Sequence, residues 1–350
     1  MKSLKEFGAI GDGLADDTQA VMQAVNSFLP IEAPPGVYRI TSPIKSYAPS
    51  VHIEGSGGST IFLFDSCDGF DFALPETEYY ATSNDGLVLK NFHVKTNTNS
   101  YTGMVIRCDE GGGSSNIPSM VDGVTFSGIT PQTSYWSTAL VYRGVGRTST
   151  RSVRVHGPIF LDRGSVGIEY DGNLGFASTE HSLSDIKVVG CGTGVLATGW
   201  IEGITADKCH IVAAYKGVVA HLDNKPQFNI NNSHINAWEY GIYFDEVTQS
   251  SISNNLIYID STRTTPEHKG IFSYGPEEIS RDVIITNNTL YHMGDPLQQG
   301  QGMDVYGSGY IIANNIIKLF DTGIYSSISD SIVKDNLYIF CKEQINDGLV

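Results

Sequence analysis

Two pairs of carboxylates have the types and spacings that cleavage of a glycosidic bond requires: Glu169 with Asp171, and Asp245 with Asp304. Such hydrolysis uses one protonated carboxyl to assist the leaving oxygen and one ionised carboxylate to activate water or attack carbon. In an extended strand alternate side chains share a face, so Glu169 and Asp171 project together, about 6.8 Å apart. Asp245 and Asp304 fall in phrases two repeats apart. Stacked strands would separate their backbones by ~9.6 Å, which suits an inverting enzyme, where ~6.5–9.5 Å between carboxyls admits water. His221, one repeat before Asp245, is placed to tune its acidity or to touch substrate.

Rings recur at equivalent places: Tyr243, Phe272, Tyr274, Tyr306 and Tyr325, with Arg143 at the matching place in an earlier phrase. Aromatic faces cover the apolar faces of pyranoses while acids take their hydroxyls, and a soluble protein seldom exposes such a strip without a ligand. Trp238 and Trp200 fall at nearby corners, where each is either a stacking platform or a buried corner residue. The plain alternative for the acids is a solvated surface role, common on any acidic protein.

The elements that must position these side chains form a repeat. From about residue 86 onward the chain reads as an apolar alternating strand, an Asn or Asp, a second short strand, a loop, then Gly and a third apolar strand. The aligned polar residues at 185, 208, 232, 255, 288, 315 and 336 give steps of 23, 24, 23, 33, 27 and 21, with the surplus in one loop. A solenoid has this property, because its strands stack at ~4.8 Å while insertions leave at a corner. The strands are too short and too regularly alternating for helical repeats, and the framework of a leucine-rich repeat is missing. Asn at the corner accepts left-handed geometry and can bond its copy in the next coil.

Placing the residue after each Gly in the core turns the next one outward. The outward positions are then Val105 and Arg107, Val141 and Arg143, Glu169 and Asp171, Leu196 and Thr198, and Val219 and His221. They continue as Tyr243 and Asp245, Phe272 and Tyr274, Asp304 and Tyr306, and Tyr325 and Ser327. A slip of one residue would reverse every assignment.

The segment from Phe7 to Thr18 reads Phe-Gly-Ala-Ile-Gly-Asp-Gly-Leu-Ala-Asp-Asp-Thr, followed at helical spacing by Ala20, Val21, Ala24, Val25 and Phe28. Asp16, Asp17 or Thr18 can cap that helix, a reading preferred over metal ligation by Asp12, Asp16 and Asp17. With Ala33-Pro34-Pro35-Gly36-Val37-Tyr38-Arg39-Ile40, the segment resembles the N-terminal motif of the pectate-lyase superfamily seen in phage tailspikes and alginate epimerases. The resemblance implies an all-β fold: a right-handed parallel β-helix whose capping helix covers the open end of the first coil. The expected division is a cap over 1–45 and the β-helix over 46–350. The resemblance also implies that the outer face of the Gly-led sheet forms the groove in which glycans lie.

The net charge of −16, with no run of Lys or Arg, argues against nucleic acid as a partner, and no apolar run is long enough to imply a membrane. The five cysteines are odd in number and scattered, and read as free, mostly buried thiols, in keeping with synthesis in a host cytoplasm. The closing Gly348-Leu349-Val350 reads as the start of another strand, so that end of the solenoid is expected to be covered by a further module or by neighbouring subunits.

Three functions compete. The first is a tailspike depolymerase of the phage virion, acting extracellularly as a homotrimer beside other phage tail proteins and hydrolysing a bacterial surface polysaccharide, capsule or O-antigen, with no cofactor and no metal. The second is a lyase or epimerase of uronate-containing glycans, with Arg143 as base near a calcium site; the Asp-Pro-His-Glu motif of alginate epimerases is absent, and Tyr243-Phe-Asp245-Glu246 is the nearest phrase. The third is a non-catalytic spike that grips glycan through its rings.

Overall fold

The computed structural model describes residues 1–77, 86–108, 115–130, 132–159, 162–172, 178–223, 226–260, 268–275, 280–293 and 300–347. The chain winds as a right-handed parallel β-helix. Each coil contributes three strands, and each strand pairs in parallel with its equivalent one coil later. One coil runs through Ile204–Asp207 and the bent strand His210–His221; the next runs through Phe228–Asn231 and the bent strand His234–Asp245. Their registers are unbroken within each sheet, with Ile204 opposite Phe228, His210 opposite His234 and Val219 opposite Tyr243. The closing triplet 348–350 lies outside the described residues.

Two columns of small or polar residues explain why the repeat has its phrase. The glycines that open the third strand stack on one another: a Cβ on Gly217, Gly241, Gly270 or Gly302 would stand 2.4–2.5 Å from the carbonyl oxygen of the glycine one coil later. Only Gly lets the coils close there. At the opposite corner, left-handed backbone falls on Asp185, Lys208, Asn232, Asn254, Asn287, Asn314 and Asp335. The hydrogen-bonded ladder belongs to the next residue along. Asn255 Nδ2 donates to Asn288 Oδ1, Asn288 Nδ2 to Asn315 Oδ1 and Asn315 Nδ2 to Asn336 Oδ1, all at 2.9–3.0 Å. The single Asn column expected from sequence is therefore two adjacent columns, one supplying the turn and one the ladder.

The cap is also rearranged. The helix Thr18–Val25 buries Val21, Ala24 and Val25 over the first coil, but Phe28 lies beyond its end with a φ of 60° and is exposed. Capping comes from Asp16, whose Oδ1 accepts from the Thr18 N–H at 3.0 Å. The buried Asp17 turns back instead, accepting from the N–H groups of Ile10 at 2.6 Å and Gly11 at 2.9 Å. Asp12 accepts from Leu14 and Ala15, both at 2.8 Å. Each carboxylate of the motif thus satisfies turn or helix N–H groups. The strands Ile31–Ala33 and Gly36–Ile40 already pair with Val51–Gly55 and Thr60–Phe64, and the expected division at 45 runs through the strand Ile44–Ser46. No disulfide joins the five cysteines, and all but Cys341 are buried.

Candidate functional site

The third sheet of the coil carries the candidate site on its outer face. Its core-facing residues Val195, Val218, Ile242, Ile271, Met303 and Ile324 are at most 2% exposed, so the alternating neighbours must project outward. The pairings line up Val105, Val141, Glu169, Leu196, Val219, Tyr243, Phe272, Asp304 and Tyr325 in one outer row. Arg107, Arg143, Asp171, Thr198, His221, Asp245 and Tyr274 form the second row, which Tyr306 and Ser327 continue. These are the outward positions read from the sequence, in the same order.

Three residues come together near the middle of the sheet. Glu169 and Asp171 share the strand Val166–Asp171, and Arg143 on the preceding strand donates through Nε to Asp171 Oδ2 at 2.6 Å. Burial first, then the charge of Asp171, raises the Glu169 carboxyl above its usual range against the opposing pull of Arg143. Two neighbouring carboxyls thus differ: one favours keeping its proton, the other sits in an ion pair.

Farther along, the rings form a connected strip. Tyr243 stacks on Phe272 with centroids 4.7 Å apart and planes at 25°, and Phe272, Tyr306 and Tyr325 follow at 6.2 Å and 5.9 Å. Tyr274 stands beside Tyr306 at 6.0 Å and is 48% exposed. His221 heads the strip, its ring 5.2 Å from Tyr243 and its Nδ1 3.0 Å from Asp245 Oδ2. Tyr243 lies three coils from Glu169, about 14 Å at ~4.8 Å per coil.

Two expectations need correction. Asp245 and Asp304 do not face each other: they occupy different rows, so two coils and two residues separate their backbones by about 12 Å along the diagonal. Asp304 is moreover 1% exposed, held by Lys269 Nζ at 2.6 Å from its Oδ2, with that ammonium 4.7 Å from the Phe272 ring centroid. It anchors Lys269 beneath the strip and does not reach a ligand lying on it. Trp238 is 2% exposed and packs edge-on against Tyr215 at 4.5 Å, so it is a core residue of the corner and no stacking platform. Sequence reading also missed a cleft of about 240 Å³ at the N-terminal end of the groove, lined by Lys45, Asp71, Arg107 and Arg143 among others.

No protein-family model matches the sequence. Over 101 residues the chain is 32% identical to the pre-neck appendage protein of Bacillus phage B103; the match spans 28% of this chain and 12% of that protein. The structure is similar to the Streptococcus pneumoniae surface protein and adhesin PfbA, with a TM-score of 0.59 at 15% identity over 98% of this chain and 99% of that one. It is similar to tailspike protein 3 of bacteriophage CBA120, with a TM-score of 0.56 at 16% identity over 95% of this chain and 51% of that one. The tailspike of E. coli bacteriophage HK620, solved with a pentasaccharide, gives a TM-score of 0.54 at 11% identity over 96% and 65%. Phage tailspikes and a streptococcal surface adhesin are thus its structural neighbours, and a phage appendage protein is its relative by sequence over about a quarter of the chain.

Proposed function

We propose that the chain is the β-helical body of a phage tail appendage that binds a bacterial surface polysaccharide along the outer face of the Gly-led sheet and hydrolyses it. The observation that carries this reading is that the Glu169–Asp171 pair lies on the same outer face, in the same two rows, as the strip of rings, three coils before Tyr243. The strip from Tyr243 to Tyr325 holds the glycan by stacking on sugar faces. Glu169, whose carboxyl burial raises above its usual range, donates a proton to the leaving oxygen, and Asp171, oriented by Arg143, activates water or attacks the anomeric carbon. His221 and Asp245, hydrogen-bonded to each other at the head of the strip, contact sugar hydroxyls between the two regions.

The likeness to tailspikes, one of them solved with a bound pentasaccharide, supports a glycan as the ligand. The relative in phage B103, a pre-neck appendage protein, supports a place on the virion; assembly as a homotrimer beside other tail proteins is part of the same proposal. The test is a panel of capsular and O-antigen polysaccharides assayed for new reducing ends. On the glycan that is cut, Glu169→Gln and Asp171→Asn are each expected to lower the rate by about 10²–10⁴ while binding persists. An unsaturated, ultraviolet-absorbing product would mark a lyase instead, and undiminished cleavage in both variants would move the site elsewhere. Binding without cleavage by the unaltered protein would leave a glycan-holding spike.

A further inference from the structure

The second strand of each coil, just after the left-handed corner, forms a sheet that faces away from the groove row. Its outer positions are set by register: His93 stacks over Thr125, then Arg154, Lys187, His210 and His234, while Lys95 stacks over Ser127 and then His156. Six successive coils therefore carry seven basic or titratable side chains and no carboxylate at these positions, a run of about 24 Å at ~4.8 Å per coil.

Chance placement is a poor explanation in a protein of net charge −16. Arg39, Arg107, Arg143, Arg147, Arg151 and Arg163 each have a carboxylate partner. Among the described residues, no carboxylate lies within 4.0 Å of Lys95, Arg154 or Lys187. Arg154, His156, Lys187 and His210 are exposed. Past His234 the stripe continues in the adjacent row, opposite Asn236, as rings. The His210 and His234 rings stand 5.8 Å apart, His234 and Tyr258 5.5 Å, Tyr258 and Tyr291 5.3 Å, and Lys318 lies 5.2 Å over the Tyr291 ring.

We propose that this stripe is a second binding face for a linear acidic polysaccharide, with Lys95, Arg154 and Lys187 meeting its carboxylates and Tyr258 and Tyr291 its sugar faces. Lys95 in one row, Arg154 and Lys187 in the adjacent row, and the rings that follow on the same sheet match a linear chain that carries spaced carboxylates. The much denser charge of a nucleic acid would meet repulsion from the acidic protein surrounding the stripe. The proposal rests on the reading of the chain as a glycan-binding protein, but not on cleavage. A second contact far from the groove raises the effective concentration of the polymer there.

The probe is polygalacturonate, with uncharged dextran of matched length as control, in affinity electrophoresis at low salt. The protein is expected to be retarded by polygalacturonate and not by dextran, with retardation lost as added salt shortens the screening length. The triple variant Lys95→Ser, Arg154→Ser, Lys187→Ser is expected to bind polygalacturonate at least about tenfold more weakly while keeping the unaltered protein's fold by circular dichroism and its binding of the groove glycan. The groove variant Phe272→Ala is expected to retain the retardation. Absence of retardation in the unaltered protein, unchanged affinity in the triple variant, or loss in Phe272→Ala would each overturn the proposal. So would a triple variant that dissociates into monomers in sedimentation, which would make the stripe an interface between copies, or tighter capture of a single-stranded oligonucleotide than of polygalacturonate.

Discussion

The first and last thirds of the solenoid are inverted with respect to one another. Between Tyr38 and Trp136 most of the described rings are inside, Tyr47 being an exposed exception: Tyr38 and Phe62 at 5.5 Å, Phe62 and Phe92 at 5.3 Å, and Phe64 and Trp136 at 5.9 Å fill the coil. The outer face there is ionic, with Arg39 paired to Asp65 and Arg107 to Asp71. From His221 onward the core is largely aliphatic, built on Ile242, Ile257, Ile271, Ile285, Ile312 and Ile324, and the rings Tyr243, Phe272, Tyr306 and Tyr325 have moved outside. Backbone, period and Gly-led strand are shared by both regions. Fold requirements alone do not explain the difference: core volume places the rings in one region, and under the proposed function a bound glycan places them in the other.

The largest effect expected from probing this contrast is on stability. Phe62→Ala should cost about 3–5 kcal/mol in chemical denaturation, because it opens a cavity among fully buried rings. Phe272→Ala should cost much less and should instead weaken polysaccharide binding; equal losses of stability from both would erase the distinction between the two regions. An intermediate effect is expected at the corner that both share. Asn288→Ala removes a rung bonded to Asn255 and Asn315 and leaves buried partners unsatisfied, a loss of about 1–3 kcal/mol measurable by the same titration.

The smallest effect sharpens the boundary between the regions, where Glu169 lies. Its carboxyl is raised, so as general acid it loses its proton, and cleavage falls, as pH rises through that raised value. Arg143→Ala removes the one neighbour that lowers it, so the alkaline limb of the rate profile should move to higher pH. Movement to lower pH would remove Glu169 from the acid's role. The same sign governs folding: the proton stabilises the native state below the ordinary carboxyl value, and that contribution fades as pH climbs through the raised one.

Much of this was legible in the sequence because it depends on a period of two. Once Gly194, Gly217 and Gly241 are aligned, alternation assigns Leu196, Val219 and Tyr243 to the outer face, and the pairings agree. The corner was harder. In Asn254-Asn255, Asn287-Asn288 and Asn314-Asn315 the left-handed residue and the ladder residue are both Asn, so composition cannot tell them apart. Trp238 lies within a stretch where the register shifts, between the pairs Ala214–Ala237 and Lys216–Tyr240, and alternation carries no information across such an irregularity. Asp304 was misjudged because its partner, Lys269, lies one coil earlier and opposite a different residue, Gln301. The basic stripe escaped notice because its members come once or twice per coil and are outnumbered in the overall charge.

The most direct measurement is a crystal structure of the Glu169→Gln variant with an uncleaved oligosaccharide of its polysaccharide. The sugar chain should lie along the Gly-led sheet with pyranose faces against Tyr243 and Phe272 and one glycosidic oxygen within hydrogen-bond reach of residue 169. An oligosaccharide bound on another sheet, or on this sheet with no linkage near Glu169 and Asp171, would contradict that placement.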